Sequence, residues 1–282
     1  SNVPWRGIVP IIDAVNAIEG PNEWDINRSL TYNGQAWPGG VRNFQNEMYS
    51  AVKNYTNADA TLQAKVRAIT VLSPSVAHPE NTSELGAVSC NMGNMHSYPG
   101  GRGKPDDQLD TGRNWIAKAQ IMSGAGSKVV ATESGYCNEI SASGCGGQGG
   151  VSERAAAKYA PRHYLEYYMR GVVRDFQYNF QRNSPWSMFL KPDGSERPAY
   201  WAVKNTISLL QDRGSSFTPG SLDYSISGDT TNFKTQLFQK RNGVFYLVMW
   251  LNTHSWNMDT LSDIESSRSM TVTFNQAVSS VR

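Results

Sequence analysis

The chain has 282 residues, of which 39% are hydrophobic and 18% are charged, and its formal net charge at pH 7 is +2. That length can bury a large core in one or two domains, and so small a charge excludes a strong electrostatic attraction to nucleic acid or to an acidic membrane. No window reaches the roughly 18 apolar residues of a membrane span, whereas 8 Trp, 13 Tyr and 25 Gly favour an extracellular, loop-rich protein that binds polar ligands on aromatic faces.

The first two-thirds of the chain predict strands that alternate with helices. Strands are expected in residues 13–20, 65–76 and 127–136, and helices in residues 41–55, 107–124 and 151–176. Ser152 is expected to cap the last of these helices, and Pro161 to kink it or end its first part. After a further short strand, residues 198–212 form a final helix with Pro198 in its first turn. This order implies a parallel sheet with crossover helices.

The sequence beyond Gly214 has a different texture, because apolar and polar residues alternate there. The dipeptide Asn242–Gly243 in "KRNG" predicts a two-residue hairpin turn. We place a boundary near residues 212–219 and predict two domains, residues 1–212 and 213–282. The second is expected to be a small, antiparallel, β-sandwich-like domain.

The cysteines and sequons favour an oxidising compartment. Cys137 and Cys145 enclose a short Ser/Gly-rich loop that a disulfide can close, which leaves Cys90 free or paired outside this chain. Glycosylation sequons begin at Asn27, Asn54 and Asn81. The start "SNVPWRG" has no signal-peptide pattern. A mature or trimmed N-terminus would look the same. Together these features predict a secreted, disulfide-bonded glycoprotein.

The histidines do not form a metal motif. They are dispersed along the chain, at His78, His96, His163 and His254, without an HExxH pattern or paired cysteines at ligand spacing. The sequence therefore predicts no metal site and no cofactor, although it does not decide whether a loop holds a calcium ion.

Two carboxylates follow predicted strands, Glu23 after "AVNAIEGPN" and Glu133 after "KVVAT". Functional side chains lie at this end of the strands in a parallel α/β barrel. Cleavage of a glycosidic bond needs such a pair, one carboxyl to protonate the leaving oxygen and the other to attack the anomeric carbon or activate water. A retaining mechanism needs the two carboxyls about 5 Å apart. The alternative for each residue is a helix-capping acid.

Four stretches of the sequence resemble a known family. The stretches "EGPNEWD", "HSYPGG", "ATESGY" and residues 150–178 together resemble the clan A (β/α)8 glycoside hydrolases, most closely cellulase-family proteins with a C-terminal β-domain. The resemblance implies that Glu23 ends the fourth strand as general acid/base and that Glu133 ends the seventh as nucleophile. It also implies that Asn22 binds the sugar 2-hydroxyl.

The same resemblance assigns three further site residues. His96 and Tyr98, at the sixth-strand position, would line the site, with Tyr98 orienting Glu133; the alternative is a buried polar pair beneath a loop. Trp186, near the end of the eighth strand, would be a platform on which a sugar stacks. An isolated Trp is, however, also a common core residue.

The chain departs from the family pattern in two places. The fourth strand begins near residue 14, so only strands 4–8 of a TIM-type barrel are expected, and a separate segment could supply the first three βα units. The eighth-strand stretch has Asn179 and Phe180 where relatives carry an acidic pattern.

The leading functional hypothesis is a retaining hydrolase of β-linked poly- or oligosaccharide. The alternative is a catalytically silent relative that serves as a structural or carbohydrate-binding part of an extracellular assembly. A mechanism-based fluorinated glycoside would separate the two.

Overall fold

The structure is a computed structural model that describes residues 10–110, 112–140, 145–180 and 183–281. These residues form two compact units of mixed α/β structure. The first unit contains residues 10–98, 107–134 and 170–177, and the second contains residues 99–106, 135–169 and 178–281. The predicted division into residues 1–212 and 213–282 stays a prediction.

The helices and strands are numbered here in chain order. The helices are α1 Ile11–Ala14, α2 Gly39–Lys53, α3 Ala60–Ala68, α4 Thr82–Leu85, α5 Trp115–Ser123, α6 Glu153–Met169 and α7 Pro198–Leu210. The strands are β1 Ala17–Ile18, β2 Thr70–Val71, β3 Gly93–Ser97, β4 Val129–Ser134, β5 Asp175–Gln177, β6 Tyr224–Gly228, β7 Phe233–Gln239, β8 Phe245–Leu251, β9 Trp256–Asn257, β10 Ser262–Asp263 and β11 Met270–Phe274.

The strands of the first unit are parallel, as the alternation of elements predicts. Strand β1 pairs with β2, and β3 pairs with β4, which pairs with β5. A parallel bridge between Leu72 and Met92 connects the β2 segment to the β3 segment. The strands therefore lie side by side in sequence order. Among the described residues they do not close into a barrel.

The central strand β3 is buried along its whole length. Parallel strands are covered on both faces, so their residues are normally apolar throughout. Here Asn94 and His96 interrupt that pattern, with exposed fractions of 0% and 1%. Buried polar side chains need hydrogen-bond partners, which marks this strand as the place to look for a site.

Two predicted elements of the first unit differ from the structure. Residues 65–68, expected to begin a strand, belong to α3. The carboxylate of Asp59 caps that helix by accepting hydrogen bonds from the backbone N–H groups of Thr61 and Leu62. The predicted helix over residues 107–124 begins only at Trp115, after Asn114 in a left-handed conformation with φ 46°.

The helix expected over residues 151–176 ends at Met169. Gly171 has φ 76°, a left-handed conformation that ends helices, and the following apolar residues lead into β5. The helix α6 continues through Pro161, which therefore does not end it. Ser152 caps α6 as predicted, since its Oγ accepts a hydrogen bond of 3.0 Å from the Ala155 N–H.

The second unit contains the antiparallel strands expected beyond Gly214. Strand β7 pairs with β8, β6 with β11, and β9 with β10. The β7–β8 hairpin is present, but its loop has three residues rather than two. The Gly243 N–H donates to the Lys240 carbonyl and the Lys240 N–H donates to the Val244 carbonyl. Gly243 has φ 86°, which fits a type I turn closed by a glycine bulge.

The predicted disulfide joins Cys137 to Cys145, and Cys90 is a free thiol. No helix in the described part of the chain combines the length and the apolar character needed to cross a membrane.

Candidate active site

Glu23 is held in place by the backbone around it. Its N–H donates a 3.0 Å hydrogen bond to the carbonyl of Ser75, and Asn22 forms a parallel bridge with the same residue. Glu23 has φ 49°, a left-handed conformation that is uncommon for a residue with a side chain. Such backbone persists only where the surrounding structure fixes it, and it occurs often at functional sites.

Two neighbours of Glu23 anchor the segment that carries it. The buried carboxylate of Asp25 accepts hydrogen bonds from the N–H groups of Ala77 and His78 and from the side-chain amide of Asn81. Trp24 packs against an apolar cluster that contains Val41, Leu85 and Met122. Asp25 therefore holds these loops in place, and Trp24 fills space in the apolar cluster.

Glu133 lies in β4, opposite His96 of β3. The hydroxyl of Tyr98 donates a 2.6 Å hydrogen bond to Glu133 Oε2. That contact is the one expected of Tyr98. It engages Oε2, so Oε1 is the carboxylate oxygen that Tyr98 does not bind. The register of β3 and β4 shifts between Met95 and His96. This irregularity brings the side chains of His96 and Glu133 together.

The structure brings the two predicted carboxylates into one group. One carboxylate oxygen of Glu23, one of Glu133 and a ring nitrogen of His96 all lie within 4.8 Å of one another. The side chains of Glu23 and Glu133 are 22% and 27% exposed, whereas that of His96 is 1% exposed. Both carboxylates therefore reach solvent, and the imidazole lies beneath them.

His96 contacts acidic groups through both ring nitrogens. Its Nδ1 lies 2.8 Å from Glu23 Oε1 and 3.7 Å from Glu133 Oε2. Its Nε2 lies 3.2 Å from Glu19 Oε1. Burial alone would lower the pKa of His96, but the hydrogen bonds to Glu19 and Glu23 and the charge of Glu133 outweigh it and raise the pKa to about 9. The imidazole is thus a cation at neutral pH.

Sequence reasoning missed three residues that complete this group. Glu19 accepts a 2.8 Å hydrogen bond from the amide of Asn94, and the Thr132 hydroxyl donates a 2.8 Å hydrogen bond to Asn94 Oδ1. Burial would raise the pKa of Glu19, but contacts with His96, Ser75 and Thr132 lower it. Glu19 directly follows β1, so the strand-end rule applied to Glu23 could have identified it.

The other two predicted site residues are Asn22 and Trp186. Asn22 is exposed beside Glu23, and its backbone bridge to Ser75 fixes its position. Trp186 is half-buried in the second unit. There its carbonyl accepts a hydrogen bond from the Asn179 N–H, and its own N–H donates to Ser184 Oγ.

Two groups of described residues have the side-chain types of a metal site. In the first, a metal would need the lone pair of His96 Nδ1, but the raised pKa of His96 keeps a proton on this nitrogen, 2.8 Å from Glu23 Oε1, at neutral pH. In the second, Cys137 and Cys145 lie beside Glu139, but their sulfurs are joined in a disulfide and are not thiolates. We therefore assign no metal to either group.

No protein-family model matches this chain, and no curated protein is found to match it. The interpretation of the site consequently depends on the residues themselves.

Proposed function

We propose that this protein is a retaining glycoside hydrolase that cleaves β-linked poly- or oligosaccharide outside the cell. The observation that carries the proposal is the approach of Glu23 and Glu133, two solvent-reaching carboxylates with oxygens within 4.8 Å of each other. These nearest oxygens are closer than the roughly 6.5 Å or more between the carboxyl groups of an inverting enzyme, which favours direct attack on the sugar.

In the first step, Glu133 acts as the nucleophile. Tyr98 binds Oε2, so Oε1 attacks the anomeric carbon while the bond to the leaving oxygen breaks. Glu23 protonates the leaving oxygen through Oε2, because its Oε1 is hydrogen-bonded to His96 Nδ1. The product of this step is a glycosyl ester of Glu133.

In the second step, Glu23 takes a proton from a water molecule, and the water oxygen attacks the anomeric carbon. The ester bond breaks and Glu133 is restored as a carboxylate, with Tyr98 again bound to Oε2. Two displacements at one carbon retain its configuration. We propose that Asn22, which is exposed next to Glu23, binds the sugar 2-hydroxyl.

The fold supports the same proposal. Five parallel strands, β1 to β5, lie in sequence order with helices between them, which is the arrangement of consecutive strands in a (β/α)8 barrel. We propose that they correspond to strands 4–8 of such a barrel. A separate segment that supplies the first three units stays a prediction. The disulfide favours a secreted protein.

A fluorinated mechanism-based glycoside tests the function directly. We expect wild-type protein to gain the mass of one glycosyl group at Glu133, and Glu133→Gln to gain none. Glu80→Gln is the matched control, because Glu80 is an exposed carboxylate 3.9 Å from a histidine, His78. Glu80→Gln should label like wild type.

A second substitution assigns the two roles. Glu23→Gln should slow hydrolysis by about 10² to 10⁴ with a poor leaving group and much less with an activated aryl glycoside, which departs without protonation. Carbohydrate binding without labelling in wild type would reject the hydrolase and favour the catalytically silent alternative.

A further inference from the structure

The hydrogen bonds beneath the carboxylate pair have a fixed direction that begins at Asn94. The backbone N–H of Thr132 donates to Asn94 Oδ1 at 3.2 Å, so this side of the amide is the oxygen. The amide nitrogen of Asn94 then points at Glu19 Oε1, 2.8 Å away, and donates to it. Glu19 thus accepts this hydrogen bond from Asn94 as an ionised carboxylate.

The direction of the next bond follows from the first. Asn94 Oδ1 carries no hydrogen, so the hydroxyl of Thr132 must donate to it across 2.8 Å. The single proton of that hydroxyl thus points towards Asn94 Oδ1 and the neighbouring Glu19 carboxylate, and away from His96. Towards His96 Nε2, 3.1 Å away, Thr132 Oγ1 can only accept. His96 Nε2 therefore carries a proton.

Glu19 also requires a proton on Nε2 of His96. Its Oε1 lies 3.2 Å from His96 Nε2 and, as a carboxylate oxygen, can only accept. The groups that face the imidazole are thus two acceptors at Nε2, from Glu19 and Thr132, and the carboxylates of Glu23 and Glu133 at Nδ1. Nδ1 contacts Glu23, the carboxyl that gains and loses a proton in the proposed reaction, so the proton that can be exchanged is the one on Nδ1.

We propose that Glu19 is a positioning residue which, with Asn94 and Thr132, keeps Nε2 of His96 protonated, so that His96 and Glu23 share a proton only through Nδ1 and Oε1. Glu23 Oε2 is then always the oxygen that serves the leaving group. This inference rests on the proposed hydrolase function and adds a role that the residue pattern of the sequence did not supply. The raised pKa of His96 agrees with it.

Histidine side-chain ¹⁵N NMR of the intact protein tests the inference without any substrate. The His96 signals are assigned by their loss in His96→Asn. We expect both ring nitrogens of wild type to be protonated at pH 7 and, as the pH rises, the proton to leave Nδ1 while Nε2 keeps its own. Loss from Nε2 first would overturn the proposal, and the variant serves only to assign the signals, since the titration is followed in wild type.

Glu19→Gln adds a second, independent readout. It keeps the side-chain shape but removes a charge, so His96 should titrate at least about one pH unit lower. In hydrolysis, kcat should fall about tenfold with little change in KM, as expected of a residue that acts on the reaction through its contact with His96. The control Glu80→Gln should change neither quantity.

The two proposals fail in different ways. An unchanged His96 titration in a folded Glu19→Gln protein, with normal hydrolysis, overturns the positioning role and leaves the hydrolase intact. If instead wild type neither labels nor hydrolyses any glycoside, while His96 behaves as expected, the function is wrong and the hydrogen-bond assignment stands.

Discussion

Among the side chains of the site, Tyr98 offers the cleanest single-atom change. Its hydroxyl contributes a 2.6 Å hydrogen bond to Glu133 Oε2, and Tyr98→Phe removes that bond without changing the ring. We expect kcat/KM to fall about ten- to a hundredfold, because a hydrogen bond to a charged group is worth about 1.5–3 kcal/mol. Steady-state kinetics with an aryl glycoside measures the loss.

A matched pair elsewhere in the first unit controls for the loss of a hydroxyl. Tyr32 donates a 2.7 Å hydrogen bond to Glu47 Oε2 on the surface. Tyr32→Phe should leave kcat/KM unchanged. Equal losses in both variants would mean that the effect is on stability and not on Glu133.

The buried His96 also makes stability depend on pH. Its pKa is raised from an unfolded value of about 6.5 to about 9, so its contribution is complete below pH 6.5 and is lost as the pH rises through 9. The pKa of Glu19 is lowered, so its contribution is present above about pH 4.5 and is lost as the pH falls below that value. Stability from this pair is therefore greatest between these two limits.

Urea unfolding at several pH values measures this dependence. Between pH 6.5 and 9.5 we expect the free energy of unfolding of wild type to fall by on the order of 3 kcal/mol. His96→Asn should show a much flatter profile over that range. His78→Asn, which replaces a half-exposed histidine, should retain the wild-type slope; a flat wild-type profile would contradict the raised pKa.

At the scale of elements, one buried charge ties strand β7 to helix α6 in the second unit. The carboxylate of Glu166 is 0% exposed and accepts hydrogen bonds from Lys234 Nζ and from Trp250 Nε1, each at 2.9 Å. Lys234 also contacts Asp106, 3.1 Å away. The pKa of Asp106 would be raised by burial but is lowered by hydrogen bonds to Lys104, Asn252 and Lys234. This network joins the two elements beside the ring contact between Tyr168 and Phe238.

Removing the Lys234 cation should therefore lower the free energy of unfolding more than removing a surface charge would. Lys234→Met leaves a buried carboxylate without its ion pair, and we expect it to lower the free energy of unfolding by about 3 kcal/mol. Lys240→Met, on the same hairpin and stacked over Tyr246, should cost less than about 1 kcal/mol. The double variant Glu166→Gln, Lys234→Met should recover part of the loss; thermal denaturation of all three provides the comparison.

At the scale of the whole molecule, the core of the second unit draws on distant parts of the sequence. Its largest apolar cluster includes Tyr136 and Tyr159 together with Trp256 and Met258. Arg162, only 7% exposed, donates a 3.0 Å hydrogen bond to the carbonyl of Thr253. Folding of helix α6 and of the strands beyond residue 213 should consequently be coupled.

A truncated chain tests that coupling. Residues 1–212 alone would expose the cluster face and leave Arg162 without its backbone acceptor, so we expect no cooperative thermal transition in calorimetry. Two substitutions in the intact chain, Trp256→Ala and Met258→Ala, should each lower its Tm. A transition of the truncated chain at the Tm of the intact protein would instead support independent domains at the predicted boundary.

The sequence by itself determined the features that depend on local patterns. The alternation of elements predicted the parallel strands, Pro198 the start of α7, and "KRNG" a hairpin. Those signals are local because turn chemistry and residue periodicity act within a few neighbours. The end of α6 was missed, since the apolar repeat continued past Gly171, where the backbone leaves the helical region.

Only the tertiary structure decided how the site is assembled. Glu19 and His96 are 77 residues apart in sequence and meet because β1 and β3 lie on either side of the parallel β2 segment. The bulge that turns His96 towards Glu133, and the direction of the hydrogen bonds through Asn94, arise from strand register. Register depends on pairing between distant strands, and a pattern read along one strand does not contain it.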